Sequence, residues 1–232
     1  MLDAIVVDRT GSMEQAVLAV TAALSSDHMI YVAGTGHSHM LAEEVFYRAG
    51  GIAAAQAILE PELMLHLGAS RSTAAERKEG TAERTLTRYS IGPGDVAFVV
   101  SNSGRNAFPI ECALGAKSRG ATVIAHTSLL TTSAITSRHS TGKLLKDVAD
   151  IVLDNQAPVG DATLAVPGLG CSMAPASTIT GAFMLNAILA ESVSRATQQG
   201  VKVDVYRSAN APGQDHSAGE MAARWGKRVI GL

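Results

Sequence analysis

The chain has few cysteines, no concentrated basic charge and no long apolar run, and each absence excludes a class of protein. Its two cysteines, Cys112 and Cys171, lie far apart and form no C-x-x-C pair, so neither a disulfide framework nor a zinc ribbon is expected. No stretch approaches the roughly 18 apolar residues of a membrane span, and we expect no membrane or targeting segment. These features favour a reduced cytoplasm as the location.

Charge and composition exclude two further classes. Lys and Arg number 19 against 21 Asp and Glu, a net charge of −2, and no segment is basic enough to follow a nucleic-acid backbone. An apolar fraction of 47% and a charged fraction of 17% exclude a disordered or fibrous chain. The 232 residues fit one domain (1–232), with an N-terminal helix at about 12–26 and a C-terminal polar tail and helix at about 206–232.

Two nucleotide-binding motifs are also missing. The run Gly34-Thr35-Gly36 continues into His37-Ser38 and does not complete G-x-G-x-x-G, and no Gly-Lys-Ser/Thr is present. A dinucleotide fingerprint and a Walker loop are therefore both excluded.

The sequence does contain a repeated pattern of apolar strand, polar turn and helix. Strands are predicted at 29–33, 52–59, 95–100, 121–125, 151–153 and 201–205, and helices at 13–24, 39–48, 74–89, 107–119 and 178–197. Strands that alternate with helices predict an α/β protein with a parallel sheet covered on both faces. The Ser- and Thr-rich stretch 129–140 is predicted to be a loop.

Polar turns follow three of these strands, at the sheet edge where such folds bind ligands. They comprise Gly36, His37, Ser38 and His39; Ser101, Asn102, Ser103, Gly104, Arg105 and Asn106; and Thr127 with Ser128. Hydroxyl, amide and helix N-terminal N–H groups suit an oxyanion. Ser and Asn also cap helices without binding a ligand, so a single turn of this kind can be either a helix cap or an anion site. Three such turns at the same edge favour the anion site.

Several segments together resemble the sugar isomerase (SIS) domain of phosphosugar isomerases and phosphosugar-binding proteins. They are YVAGTGHSHMLAEE, GDVAFVVSNSGRNAFPIECALGAKSRGATVIAHTS and APASTITGAFMLNAILAE, within about 29–194, and GTGHSHMLAEEVFYRAGG, RHSTGKLL and ADIVLDN are similar to a bacterial SIS subgroup related to phosphoheptose isomerases. The resemblance implies a flavodoxin-like, three-layer αβα sandwich with a mainly parallel five-stranded sheet, assembled as a homodimer or homotetramer.

The resemblance also implies a small-molecule sugar phosphate as ligand. Its phosphate would be held by Ser101, Asn102, Ser103 and Ser128, with Ser38 nearby. Many family members carry Thr where this chain has Asn106 after Arg105, and this departure leaves open a carboxylate or sulfonate in place of the phosphate.

Aldose–ketose isomerisation through an enediol needs a base and an acid, for which a carboxylate and a histidine suffice. Glu43 and Glu44 match the family's Ala-Glu-Glu run, Glu191 lies in a long apolar helix where an acid must be paired or functional, and His216 matches a C-terminal histidine of several SIS enzymes. For each glutamate, an exposed surface position is the alternative.

Histidines near the turns raise the question of a metal. His37, His39 and His126 could bind zinc together with Glu43 or Glu44, but H-x-H on a loop is weak evidence and we expect no cofactor. His139 lies in a segment that resembles an anion-contacting loop, with a solvated turn as the alternative.

The sequence therefore predicts a phosphosugar isomerase. The alternatives are a non-catalytic phosphosugar-binding regulator and an etherase, deaminase or epimerase acting on an amino-sugar phosphate. About 28 residues precede the first predicted strand, too few for the helix-turn-helix domain of a fused regulator.

Overall fold

The structure is a computed structural model that describes residues 1–8, 10–208, 210 and 217–232. Its centre is a five-stranded parallel sheet in the order β2-β1-β3-β4-β5. The strands are β1 (Ile30–Gly34), β2 (Ala55–Ile58), β3 (Val96–Val100), β4 (Thr122–Thr127) and β5 (Ile151–Asp154). β1 and β3 are buried at every position, which explains their unbroken apolar runs.

Two groups of helices cover the sheet. One contains α2 (Ser12–Ser25), α3 (His39–Val45) and α8 (Ser177–Gln198), and the other contains α4 (Ala69–Arg77), α5 (Thr81–Leu86) and α6 (Ala107–Ser118). Crossover connections between parallel strands are right-handed. The chain moves from β1 to β2 at one side of the sheet and to β3, β4 and β5 at the other, so the helices of these connections lie on opposite faces. The predicted α/β sandwich with a parallel five-stranded sheet is thus confirmed.

The remaining elements lie around this sandwich. They are α1 (Leu2–Val7), α7 (Leu129–Ser133), the antiparallel pair β6 (Ala162–Ala165) and β7 (Ser172–Pro175), and α9 (Ser217–Trp225). The buried apolar core extends from Ile5 to Val229 and so includes both ends of the chain. The interpretation of the whole chain as one domain stays a prediction.

Four elements differ from the sequence prediction. The helix predicted at 74–89 is two helices, because Gly80 has a positive φ of 85° and starts α5 in a new direction. The strand predicted at 201–205 is wrong, since only Val205 forms a bridge, to Ile52. The hairpin β6-β7 was not predicted, and α7 forms the start of the stretch predicted as a loop.

Both cysteines are free thiols, Cys112 buried and Cys171 exposed. Burial raises the pKa of Cys112 to about 12, so its thiol stays protonated at neutral pH. Within the described ranges, no helix is both long and apolar enough to cross a membrane.

Candidate functional site

The candidate site lies where the strand order reverses. From β1 the chain crosses to β2 on one side of the sheet and then to β3 on the other. The carboxyl ends of β1 and β3 therefore diverge into a crevice, which is where open α/β sheets bind ligands. Two polar turns border this crevice, 34–38 after β1 and 101–106 after β3.

The first turn depends on two glycines. A Cβ atom on Gly34 would lie 2.4 Å from the carbonyl oxygen of Ser38, so the chain folds back tightly over that position. Gly36 has a φ of 55°, a left-handed conformation that suits glycine. The turn leaves Ser38 half-buried beside the crevice, and its hydroxyl has no hydrogen-bond partner among the described residues.

The two histidines of this turn differ in environment. His37 is exposed, whereas His39 is buried and its Nδ1 donates to the carbonyl oxygen of Gly36. The Nε2 atom of His39 faces Glu43, 3.6 Å from Oε1. His39 therefore holds the turn together.

The second turn does not cap the helix that follows it. The Ser101 Oγ accepts from the Gly104 N–H at 3.1 Å, within the turn itself. Helix α6 begins only at Ala107, and its N-cap residue, Asn106, makes no side-chain capping bond. The first-turn N–H groups of α6 thus lack a side-chain cap, and the half-buried Ser103 hydroxyl has no partner in the described part of the chain. The capping alternative fails here.

Thr127 and Ser128, which were predicted to bind the anion, make structural hydrogen bonds instead, and Ser128 caps α7. The Ser128 hydroxyl is fully buried, donates to the Ala157 carbonyl at 2.7 Å and accepts from the Thr131 N–H at 3.0 Å. The Thr127 hydroxyl donates to the Asn102 carbonyl at 3.1 Å. Both hydroxyls are therefore occupied by backbone partners, and the buried Ser128 hydroxyl braces the structure where a phosphate contact was expected.

Asn106 is a positioning residue at the centre of the site. It is buried; its Nδ2 donates to Glu76 Oε1 at 2.7 Å, and its Oδ1 accepts from Arg138 at 3.1 Å. The other Glu76 oxygen accepts from the Thr35 hydroxyl at 2.7 Å. Thr35 lies in the turn after β1, and Asn106 ends the turn after β3. Glu76 of α4 therefore bridges the two sides of the crevice.

Arg138 brings positive charge to this part of the crevice. Desolvation and the positive charges of Arg105 and Arg77 lower the pKa of Arg138, against the opposing effect of Glu76. The Arg105 Nε atom is buried and has no hydrogen-bond partner in the described residues. Arg138, bonded to Asn106, and Arg105 in the second turn give this rim positive charge that suits an anionic ligand.

On the other face of the sheet the crevice continues as a narrow cavity of about 10 Å³. Its lining residues are Ser38, Leu41, Val100, Asn102, His126, Asn155, Ser177 and Thr178. Asn155 fixes the second turn, because its Nδ2 donates to Asn102 Oδ1 at 2.9 Å. His126 is 1% exposed, and neither of its ring nitrogens has a hydrogen-bond partner within the described chain.

His126 is expected to make the protein sensitive to acid. Burial lowers its pKa from 6.5 to about 4, so between these pH values the unfolded chain binds a proton that the folded protein does not. Stability is unaffected above pH 6.5 and falls as the pH drops towards 4, by about 3 kcal/mol in total.

The measurement is urea unfolding of wild type and His126→Leu from pH 4 to 7. The variant should lose this part of the pH dependence, while His66→Leu, at an exposed histidine, should retain it. Parallel pH profiles for wild type and His126→Leu would contradict the assignment.

Of the predicted catalytic residues, Glu191 lies far from the crevice, whereas Glu43 and Glu44 lie on α3, which begins directly after the first turn. Glu191 is 51% exposed and pairs with Arg195 at 2.8 Å, as the surface alternative expected: it lies on the solvent side of α8, roughly 21 Å along the helix from Ser177. Glu44 pairs with Arg48 and accepts from Asn186 at 2.8 Å, and Glu43 is exposed. His216 lies outside the described residues.

Sequence reasoning missed Glu76 and Asn155, and it placed Arg138 only in a segment that resembles an anion-contacting loop. Asn155 follows β5, so the rule that located the other turns could have found it. Glu76 belongs to a charged helix, and nothing in the local sequence marks it.

Comparison with known proteins agrees with this geometry. Residues 1–128 match the SIS domain family. The chain belongs to the SIS domain family. It is 45% identical over 216 residues to a UPF0309 protein of Brucella anthropi, covering 93% of this chain and 88% of that protein. A UPF0309 protein of Caldanaerobacter subterraneus is 42% identical over 220 residues, covering 94% and 89% respectively.

A solved structure shares the fold of this SIS protein. Phosphoheptose isomerase from Neisseria gonorrhoeae superposes with a TM-score of 0.51 at 20% identity, covering 83% of this chain and 90% of that one. At this identity the similarity concerns the architecture, the parallel sheet between two helical layers.

Proposed function

We propose that this SIS protein binds a sugar phosphate in the crevice between β1 and β3 and interconverts its aldose and ketose forms. The observation that carries the proposal is the Glu76 carboxylate, held between the two polar turns by Thr35 and Asn106, with Arg138 bonded to the same Asn106. The family and the shared fold of a phosphoheptose isomerase support the sugar phosphate as substrate class.

The phosphate would be bound by groups that the fold leaves free. Ser38 and Ser103 offer hydroxyls, and the first turn of α6 offers N–H groups without a side-chain cap. Helix N-termini carry partial positive charge and bind phosphate without further help. Arg105 and Arg138 add charge at the rim, so an anion at this position gains both hydrogen bonds and Coulomb attraction.

We propose Glu76 as the base in place of Glu43, Glu44 and Glu191. It would take the proton from C2 of the aldose, so that the electrons move onto the C1 carbonyl oxygen and form an enediolate. Transfer of the C2 hydroxyl proton to the C1 oxygen and return of the carbon-bound proton to C1 would then give the ketose. Each carboxylate oxygen accepts one hydrogen bond in the structure and retains a lone pair for this transfer. The nearby guanidinium groups would stabilise the negative charge that develops on the enediolate oxygen.

The direct test incubates the full-length protein with a panel of aldose and ketose phosphates in heavy water. If the protein is an isomerase, at least one sugar phosphate should incorporate deuterium at C1 or C2, as detected by NMR. If sugars bind by calorimetry and none exchanges, the protein is a non-catalytic phosphosugar-binding regulator. If a sugar instead loses an ether or amino group, the protein is an etherase or deaminase, and the same base would act in the cleavage of that bond.

Arg138→Gln is expected to weaken binding of the sugar phosphate by about 10- to 100-fold. A hydrogen bond to a charged group contributes about 1.5–3 kcal/mol, and the variant removes the guanidinium but leaves a side chain that can still bond to Asn106. Isothermal titration calorimetry measures the effect, with Arg71→Gln, exposed on α4, as the control. Equal loss for the matching unphosphorylated sugar would show that Arg138 does not contact the phosphate.

We also propose that the predicted homo-oligomer forms through the β6-β7 hairpin. Its apolar side chains are solvent-exposed, among them Leu164 (60%) and Met173 (55%), and residues 162–190 include no Asp, Glu, Lys or Arg. Two identical copies bring identical charges together, so an uncharged apolar surface suits a symmetric interface.

Leu164→Glu together with Met173→Glu should therefore reduce the molecular mass in solution to that of a monomer, as measured by light scattering. Leu67→Glu, at an exposed position outside the hairpin, is the matched control. A wild-type chain that is already monomeric would refute this interface.

A further inference from the structure

A second cluster of polar side chains lies outside the crevice. Glu79 in the turn after α4, Glu111 on α6 and His139 in the segment 134–143 bring one ligand atom each to within 4.8 Å of one another. The His139 Nε2 atom is 3.6 Å from Glu111 Oε1 and 3.9 Å from Glu79 Oε1. The three residues come from three separate segments, so the cluster exists only in the folded protein.

The charges of this cluster are unbalanced. Neither carboxylate forms an ion pair with a lysine or arginine in the described chain, and the histidine is their only ion-pair partner there. The His139 side chain is 7% exposed and that of Glu111 is 18% exposed. The Glu79 side chain is 44% exposed, so the carboxylate partly removed from water beside the imidazole is that of Glu111, whose burial favours a compensating positive charge.

The spacing suits a metal ion better than direct hydrogen bonds. Both N–O distances exceed the 2.7–3.2 Å range of a good N–H···O bond. Around a tetrahedral zinc ion with bonds of about 2.0–2.1 Å, neighbouring ligand atoms lie about 3.3 Å apart. Closing the two gaps to His139 needs movements of about 0.3–0.6 Å. The two carboxylate oxygens, which lie within 4.8 Å of each other, need to approach by at most about 1.5 Å.

Each donor is also held by a second interaction of the kind that orients metal ligands. Glu111 accepts the Gly80 N–H with both oxygens, at 2.8 and 2.9 Å. Glu79 accepts from the Ser140 N–H at 2.7 Å and the Ser140 hydroxyl at 3.0 Å. The His139 Nδ1 lies 2.8 Å from the Thr141 Oγ1 and 3.3 Å from the Thr141 backbone N–H. Metal binding at Nε2 requires the tautomer in which Nδ1 donates to Oγ1 and gives up the longer contact.

We propose that Glu79, Glu111 and His139 bind a divalent transition-metal ion, zinc by the chemistry of the donors, with water completing the coordination. One imidazole and two carboxylates without sulfur form a set that zinc accepts, and three protein ligands leave one position open. This ion would fasten segment 134–143 to α6 and to the α4–α5 turn. It differs in residues and position from the histidines of the first turn.

The site has a consequence for the crevice that rests on the function proposed above. His139 directly follows Arg138, whose backbone N–H donates to the Arg105 carbonyl at 2.8 Å and whose guanidinium contacts Asn106. A metal that fixes His139 therefore fixes Arg138, and zinc and sugar phosphate should each strengthen binding of the other.

The test titrates zinc chloride into chelator-treated, tag-free full-length protein by calorimetry, without sugar. We expect one zinc ion per chain, and an affinity at least about tenfold lower in His139→Ala and Glu79→Gln, since even outer-shell changes cost that much. Glu79→Gln keeps an oxygen for Ser140, which guards against simple unfolding. The control is His66→Ala, an exposed histidine whose ring lies 6.4 Å from that of His39.

The variants distinguish the proposed zinc site from a site at the first turn and from the absence of a site. Loss of zinc binding in the two cluster variants but not in His66→Ala supports the site. Absence of binding in wild type, or equal affinity in all variants, overturns it, and loss only in His66→Ala moves the metal to the first turn. Because no sugar is present, these results stand whether or not the protein proves to be an isomerase.

Discussion

Glu76→Gln is expected to lower the rate of sugar-phosphate isomerisation by about 10²- to 10⁴-fold, the contribution typical of a positioned general base. Glutamine has the same shape and can still accept from Thr35 through its oxygen, but it cannot take a proton from carbon. The dissociation constant of the sugar phosphate should stay near the wild-type value, because the phosphate is bound by other groups. Loss of kcat with retained binding is what distinguishes a base from a binding residue.

The control and the competing assignments use the same assay. Glu83→Gln, an exposed glutamate that pairs with Arg119 on the surface, should leave kcat unchanged. Glu44→Gln is the informative comparison, since Glu44 matches the family's glutamate run. If Glu44→Gln loses deuterium exchange at C2 and Glu76→Gln keeps it, the base lies on α3 and our assignment is wrong.

Gly34→Ala should lower the free energy of unfolding by about 3 kcal/mol, at the upper end of typical overpacking costs. The new methyl carbon would lie 2.4 Å from the Ser38 carbonyl oxygen, 2.5 Å from its carbonyl carbon and 2.9 Å from the His39 nitrogen. All three are backbone atoms, so no side-chain rotation relieves the contact and the turn itself must move. For a chain of this size, we expect a drop in Tm of roughly 6–12 °C.

Gly92→Ala is the matched control, because nothing lies within 4 Å of its added carbon and its φ is not positive. It should leave Tm unchanged or raise it slightly. Calorimetry on both variants measures the difference, and a wild-type Tm for Gly34→Ala would show that the turn after β1 is looser than described. Where Gly34→Ala still folds, its displaced Ser38 should also weaken sugar-phosphate binding.

Local patterns predicted the sheet and the edge that carries the site. β1 and β3 are short, fully buried apolar runs, and a parallel strand buried on both faces shows this composition whatever surrounds it. Chain directionality then places the turns 34–38 and 101–106 at one edge of the sheet. The hairpin β6-β7 escaped prediction because its exposed strands lack the alternation of a half-buried strand.

The roles of individual side chains were predicted less well. Ser103 and Ser128 are both hydroxyls that follow a buried strand, yet Ser103 is half-exposed and free while Ser128 is fully buried and bonded to Ala157. That difference depends on a carbonyl group 29 residues away along the chain. For Glu191 the surface alternative holds, because an apolar helix has a solvent side that composition does not reveal.

The sequence by itself determined the class of fold and the edge of the sheet where the polar turns lie, and its motifs resemble those of the family to which the chain belongs. The fold class and the edge follow from hydrophobic patterning and chain direction, which are local properties. Only the tertiary structure decided that Glu76 enters the crevice, because its partners Thr35 and Asn106 lie 41 and 30 residues away. The packing of α4 across two strand ends brings these groups together, and no local pattern encodes that contact.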